Sequence, residues 1–542
     1  MTSGYRRIMR QAPWRIFALV GAVAVIATAL VFTVARPSGD PHDAARSHTP
    51  QGRGDSPSPA TPLPTGPGEA PETVPAVRSF EPAPGPGWAP ADSTRVVTDP
   101  DGPLTDEADR LADELSLDRA DEDPGAGDIE LRLDEDADTG DEGYRLETDE
   151  QRVTITSATE AGAFYGTVTL VQAVRGQGGV AQGVIEDQPD RPQRGLSLDT
   201  ARKHFDAEWI EQRLHEMADL KLNQLQWHFS DDQGFRVESE SHPEIVSDDH
   251  LTKDEVRSII RLAESLHITV IPEIDSPGHL GAVMAAHPDL QLREPDGSET
   301  RGAIDITRPE AAEILDDLIR EYAELFPGDY LHLGGDEYAA VMRQDPEGTY
   351  PELAQAAREQ FGDNGTVADL ATAWLNDRAE TAREAGKIPQ VWNDGMHAGG
   401  EVQPDHDREV TYWTGREIGA REPVEYLEGG WPLINMNSEY LYYVLGEPNE
   451  FIYPTGERIY DEWTPDVVRG SEPVPDEFAN ADDVLGGRFA VWCDLADAQT
   501  QEEVAEGIVG PLRAVAQKLW DPREPALDWA AFSELADRVT AD

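Results

Sequence analysis

The chain reads as an α/β protein: a (β/α)8, or TIM, barrel preceded by a small α+β domain, with a transmembrane or signal segment at the N-terminus. Three observations predict this. From Arg194 onward, short apolar runs alternate with long helical stretches, the rhythm of parallel β/α architecture. Residues 92–190 instead give short strand-like pieces and one amphipathic stretch under an acidic, turn-rich surface. Ile16 to Ala35 form a stretch of twenty residues without a charge, long enough at helical rise to cross a bilayer core of roughly 30 Å.

In chain order, residues 1–36 are the anchor or signal. Arg6, Arg7, Arg10 and Arg15 precede the apolar run and only Arg36 follows it closely, so the positive-inside rule leaves the rest of the chain outside the cell, tethered or secreted. Residues 37–91 are dense in Pro, Gly, Ser and Ala and read as an extended linker. Residues 92–190 form the small domain, with strands at Ile129 to Leu133 and Gln151 to Ile155 and a helix around Ala161 to Arg175. Residues 191–542 form the barrel. Its eight expected strands are Gly195 to Leu198, Gln224 to Phe229, Ile268 to Ile274, Tyr330 to Leu333, Ile388 to Trp392, Val410 to Trp413, Leu433 to Met436 and Leu485 to Trp492. Expected helices are Glu208 to Leu220, Lys253 to Leu266, Pro309 to Leu325, Val367 to Ala385 and Glu502 to Leu519, with the seventh connection the least helix-like.

Composition narrows the function. The 542 residues include 106 acidic and 44 basic side chains, a net charge of −62, which excludes nucleic acid as a partner. The lysines are Lys203, Lys221, Lys253, Lys387 and Lys518; the remaining basic residues are arginine. Such a surface suits concentrated salt, where screening shortens the Debye length, although acidic secreted proteins also work without it. The single cysteine, Cys493, leaves no intramolecular disulfide framework and no zinc site built on several thiolates.

The strand ends carry the chemistry. They read Asp199, Ser230-Asp231-Asp232, Glu273-Ile274-Asp275, Gly334-Gly335-Asp336-Glu337, Trp392-Asn393-Asp394, Trp413, Asn435-Met436-Asn437 and Trp492-Cys493-Asp494. In a barrel these converge on the C-terminal face, where active sites are built. Carboxylates supply acid/base chemistry, and indole faces stack on pyranose rings. Adjacent acid pairs are common by chance in so acidic a chain. Asp336-Glu337 stands apart because two glycines directly after an apolar strand let both carboxylates enter one cleft.

Leu198-Asp199-Thr200-Ala201-Arg202, His228 to Arg236, Pro272 to His279 and His332 to Glu337 together resemble glycoside hydrolase family 20, the β-N-acetylhexosaminidases, over roughly residues 95–525. The resemblance implies substrate-assisted retaining hydrolysis, in which the sugar's 2-acetamido oxygen attacks its own anomeric carbon. It implies that Asp336 holds the acetamido group and that Glu337 is the general acid, then base, with a raised pKa. It assigns Arg202 to sugar hydroxyls, Asp231 and His279 to a hydrogen-bonded pair behind Glu337, and Trp392, Trp413 and Trp492 to aromatic walls. Tyr440 would donate to the acetamido oxygen. His204, His228 and Cys493 stay structural, and no metal or cofactor is expected.

The expected substrate is a glycan ending in β-linked GlcNAc or GalNAc. Asp494 stands where many relatives carry Glu. Its shorter reach, with Phe235 to Ser239 and Ser241 to Ile245, resembles the lacto-N-biosidase branch, which releases a disaccharide; other segments resemble dispersin-type enzymes. A non-catalytic sugar-binding barrel is the alternative from another class. A chitinase-like barrel lacks support because no D-x-D-x-E pattern occurs.

Overall fold

The computed structural model describes residues 68–149, 152–415 and 420–540. The expected anchor, and the linker as far as residue 67, lie outside them. Among the described residues, no helix is long and apolar enough to cross a membrane.

The barrel strands are β1 (Gln193–Asp199), β2 (Gln224–His228), β3 (Thr269–Glu273), β4 (Tyr330–His332), β5 (Ile388–Trp392), β6 (Glu409–Tyr412), β7 (Leu433–Asn435) and β8 (Val484–Trp492). Each pairs in parallel with the next, and β8 closes the ring on β1. All eight expected strands are present. The outer helices are α1 (Ala207–Asp219), α2 (Lys253–Ser265), α3 (Pro309–Leu325), α4 (Val367–Glu384), α5 (Pro423–Glu428), α6 (Gly456–Glu462) and α7 (Gln501–Trp520).

Sequence signals set the helix starts. Thr252, Thr366 and Thr500 each accept from the backbone three residues on, with Glu255, Asp369 and Glu503 returning the bond, so orphan N–H groups of α2, α4 and α7 are satisfied. Between β5 and β6 the barrel has only the short turn Asn393–Gly395. That connection contains Gly395, Gly399, Gly400 and Pro404 and no apolar helical stripe. The seventh connection keeps a helix, the seven-residue α6.

The register positions the site. His228 lies opposite Glu273 on β3, and Glu273 opposite His332 on β4. Three polar side chains therefore share one level beneath the C-terminal face. A short extra strand, Tyr442–Val444, runs parallel to the end of β8, with Tyr442 beside Ala490 and Val444 beside Trp492.

The small domain is a seven-stranded mixed sheet carrying the helices Thr105–Leu115 and Glu160–Gln177. It begins earlier than composition suggests. Val74 and Trp88 are buried, the backbone N–H of Val74 donates to Gln172 at 2.7 Å, and Phe80–Pro82 is the edge strand. Residues 68–91 are thus folded domain rather than linker. Their proline content suits an edge strand and turns, which need few N–H donors.

Buried ions join the two domains. Arg194, at the start of the barrel, donates to Glu142 at 2.7 and 2.9 Å and lies over the rings of Tyr165 and Trp520. Replacing only one member strands a partly buried charge. Arg194→Met is expected to cost about 3 kcal/mol, read as a lowered denaturant midpoint, with Glu142→Gln in the same background restoring part of it.

Candidate active site

The site grows from β1 outward. Asp199 is fully buried and accepts from the backbone of Ala201 and Arg202 at 3.0 Å each, from the Arg202 guanidinium at 2.9 Å and from the Cys493 N–H at 2.9 Å. One carboxylate thereby ties the ends of β1 and β8 together. The second guanidinium nitrogen of Arg202 lies 2.7 Å from Asp231, and the guanidinium carbon lies 5.5 Å from the centre of the Trp492 ring.

A charge chain follows. Asp231 is 3.0 Å from His228 Nε2 and 3.2 Å from His279 Nδ1. The other nitrogen of His279 lies 3.5 Å from both Asp336 and Glu337. Burial works against a charge on His279, but Asp336 and Asp231 outweigh it and hold the imidazolium well above its ordinary pKa. Glu337 responds in the opposite sense. The hydrogen bond from His279 holds its carboxyl below the usual range, with burial opposing. The raised Glu337 pKa expected from the neighbouring carboxylate is therefore not found: the sequence does not reveal that an imidazolium, brought 58 residues along the chain, sits beside the acid pair.

The Gly334-Gly335 pair permits this geometry. Both glycines have positive φ, 66° and 102°, and a Cβ on Gly334 would fall 1.7 Å from Asp275 Oδ1. The Gly335 N–H donates to that oxygen at 2.9 Å. Glu337 itself adopts φ 45°, a left-handed conformation costing a non-glycine residue roughly 1–2 kcal/mol. Its N–H is held at 3.0 Å by Asp394.

Two carboxylates flank Asp336. Burial and the charge of Asp336 push Asp275 well above the usual carboxylate range, and burial raises Asp336 as well. Asp394 accepts from the Glu337 N–H and the Trp413 indole N–H, while burial and Asp336 push it up to about 8. Asp336 Oδ1 is buried and has no hydrogen-bond partner among the described residues.

Aromatic side chains wall the pocket. Trp392, Trp413, Tyr442 and Trp492 line it with Arg202, His279, Asp336, Glu337 and Asp494. Trp413 stacks on Tyr442 at 5.7 Å with planes 2° apart. Trp392 donates to Glu273 at 2.8 Å. Burial opposes the negative charge of Glu273, but His228 and His332 hold its pKa at about 2.

The structure brings together nine of the ten site residues expected from sequence. Tyr440 is the correction: its ring lies under the Arg458 guanidinium at 4.2 Å and its hydroxyl donates to Glu462 at 3.3 Å. The side chain that enters the pocket is Tyr442. Tyr440 sits in the turn before the extra strand, whereas Tyr442 begins that strand and faces the same side as Val444. Asp199, Asp275 and Asp394 carry only a strand-end signal in the sequence and no assigned role, and Tyr442 carries none. His228, assigned a structural role, also lines the pocket.

Tyr442→Phe is expected to raise KM and lower kcat/KM about tenfold or more for an acetamido substrate, the scale of one hydrogen bond to a charged or developing group. The loss vanishes if the hydroxyl does not touch the substrate.

Comparison with known proteins agrees with this geometry. The catalytic-domain model of glycosyl hydrolase family 20 matches residues 192–523, and the family's domain 2 matches residues 70–188. A lacto-N-biosidase from Bifidobacterium bifidum is 29% identical over 479 residues, covering 86% of this chain and 41% of that protein. A β-hexosaminidase from Vibrio furnissii is 28% identical over 446 residues, covering 74% and 69%. The structure of a mutant Streptomyces plicatus β-hexosaminidase in complex with its product GlcNAc superposes with a TM-score of 0.70 at 26% identity, covering 89% of this chain and 97% of that one. This chain belongs to glycosyl hydrolase family 20.

Proposed function

We propose that the protein removes a terminal β-linked N-acetylhexosamine from glycans by substrate-assisted, retaining hydrolysis. The observation that carries this reading is Asp336 Oδ1: a buried carboxylate oxygen without a partner, at the floor of a pocket walled by aromatic rings. An unsatisfied buried acceptor is costly. An acetamido N–H satisfies it, and the same carboxylate then faces the positive charge that develops as the acetamido oxygen closes on C1.

The remaining groups fall into place around that step. Glu337 protonates the leaving oxygen and afterwards takes a proton from water. His279 Nε2 lies 3.5 Å from the Glu337 carboxyl. Asp231 and Arg202 hold His279 and the sugar-facing edge of the pocket in place. Tyr442 donates to the acetamido oxygen.

Release of p-nitrophenol from p-nitrophenyl β-GlcNAc, but not from the β-glucoside, tests the reading. A chain that hydrolyses both equally does not use the acetamido group. A second reading, release of a disaccharide, draws on Asp494, a short carboxylate that lines the pocket with Val444. Hydrolysis of p-nitrophenyl β-lacto-N-bioside alone would select it.

We further infer that the enzyme works outside the cell and in concentrated salt. The first inference rests on the apolar segment Ile16 to Ala35, the second on the net charge of −62. Raising NaCl from about 0.1 M to 1 M shortens the Debye length from about 10 to 3 Å. The thermal midpoint is expected to rise across that range, and a flat or falling midpoint contradicts salt adaptation.

A further inference from the structure

Two loops of the C-terminal face meet away from the aromatic pocket at three metal-type donors. His242 caps and Glu244 lies within the turn Pro243–Ile245 between β2 and α2, and His287 caps the end of the short helix Gly281–Ala286 between β3 and α3. Glu244 Oε1 lies 3.1 Å from His242 Nδ1 and 2.9 Å from His287 Nε2. We propose that His242, Glu244 and His287 bind one zinc-class divalent cation that clips these two loops together.

Several observations favour a metal over a plain ion pair. The three donor atoms all lie within 4.8 Å of one another. Tetrahedral zinc, with bonds of about 2.0–2.1 Å, sets its ligands roughly 3.3 Å apart, so small rotations of the two rings admit the ion. Two imidazoles and one carboxylate match zinc rather than calcium or magnesium, which take oxygen ligands. The outer nitrogen of His242, Nε2, is buried without a hydrogen-bond partner among the described residues and faces Asp317 on α3 at 3.6 Å. A metal on Nδ1 leaves the proton on Nε2, directed at that carboxylate, the arrangement that orients metal-bound histidines. Glu244 is the most exposed of the three, which leaves a fourth position to water.

The clip has a purpose in this fold. The first loop follows Asp231 and the second follows His279, the pair behind Glu337. The loops already touch there, since Asp232 accepts from the Gly281 N–H at 3.0 Å. A metal at their outer ends holds that junction from the far side. The Glu244 and His287 donors lie 43 residues apart and so show no ligand spacing in the sequence.

The test uses the untagged full chain, stripped with chelator and titrated with zinc chloride. The expected result is one tightly bound zinc per chain by elemental analysis and a higher thermal midpoint at one equivalent. His287→Ala loses that equivalent and the thermal shift. Asp317→Asn, a surface change, keeps the fold and weakens zinc binding about tenfold or more. If His287→Ala disturbs folding, Glu244→Gln preserves hydrogen-bonding shape while removing the charged ligand, and is expected to lose the zinc as well. No zinc bound by the unmodified chain overturns the proposal. So does unchanged stoichiometry in the folded variants, which would place the ion at Asp275, His279 and Asp336 instead.

Discussion

Glu337→Gln is expected to lower kcat by roughly 10²–10⁴-fold on a natural glycan, the usual contribution of a positioned general acid and base. Gln keeps the size of the side chain and accepts from His279, so the fold and the strained backbone at residue 337 survive. The proton donor is gone. The loss depends on the leaving group in a way a mere structural lesion does not. An aglycone that departs as a stable anion needs no proton, so the deficit in the first step shrinks for dinitrophenyl β-GlcNAc and remains full for an alkyl or sugar aglycone. An equal loss on both would place the role of Glu337 elsewhere.

Asp336→Asn gives the complementary pattern. In the proposed mechanism its carboxylate serves the acetamido group rather than the leaving group, so the expected loss, about 10²–10³-fold in kcat, is the same for good and poor aglycones. Asn presents either an amide oxygen of reduced charge or an N–H that opposes the acetamido N–H. Neither stabilises a forming cation. The variant also removes the charge that raises Asp275 and Asp394, so both carboxyls titrate closer to their ordinary range, measurable as altered pH dependence of stability. The sign follows from linkage: a carboxyl raised in the folded state weakens the fold as pH rises between its unfolded and folded pKa values. Asp336→Asn is therefore expected to reduce that alkaline loss.

The division between what the sequence reveals and what it hides has physical causes. Barrel strands are legible because both their faces are buried, which writes short apolar runs such as Ile268 to Ile274. The acid pair is legible because Gly334 and Gly335 announce a turn that brings backbone within reach of Asp275. Tyr442 was missed in favour of Tyr440 because a two-residue offset in a tyrosine-rich run is settled by where the extra strand starts, and that depends on pairing with β8. The lowered pKa of Glu337 was missed for a similar reason, since it arises from His279 on another loop. Residues 68–91 look like a stalk by composition, but Val74 and Trp88 find partners 98 and 39 residues away. Long-range partners of this kind leave no local trace.

The central claim is that the substrate's own acetamido group is the nucleophile and that Asp336 receives its charge. A thiazoline analogue of GlcNAc, in which sulfur closes the five-membered ring onto C1, mimics the cyclised intermediate and tests that claim directly. The account predicts competitive inhibition at least about 10²-fold tighter than by GlcNAc, as for other analogues of high-energy states. It also predicts that Asp336→Asn abolishes most of this advantage. A thiazoline that binds no better than GlcNAc, or binds Asp336→Asn equally well, would contradict it.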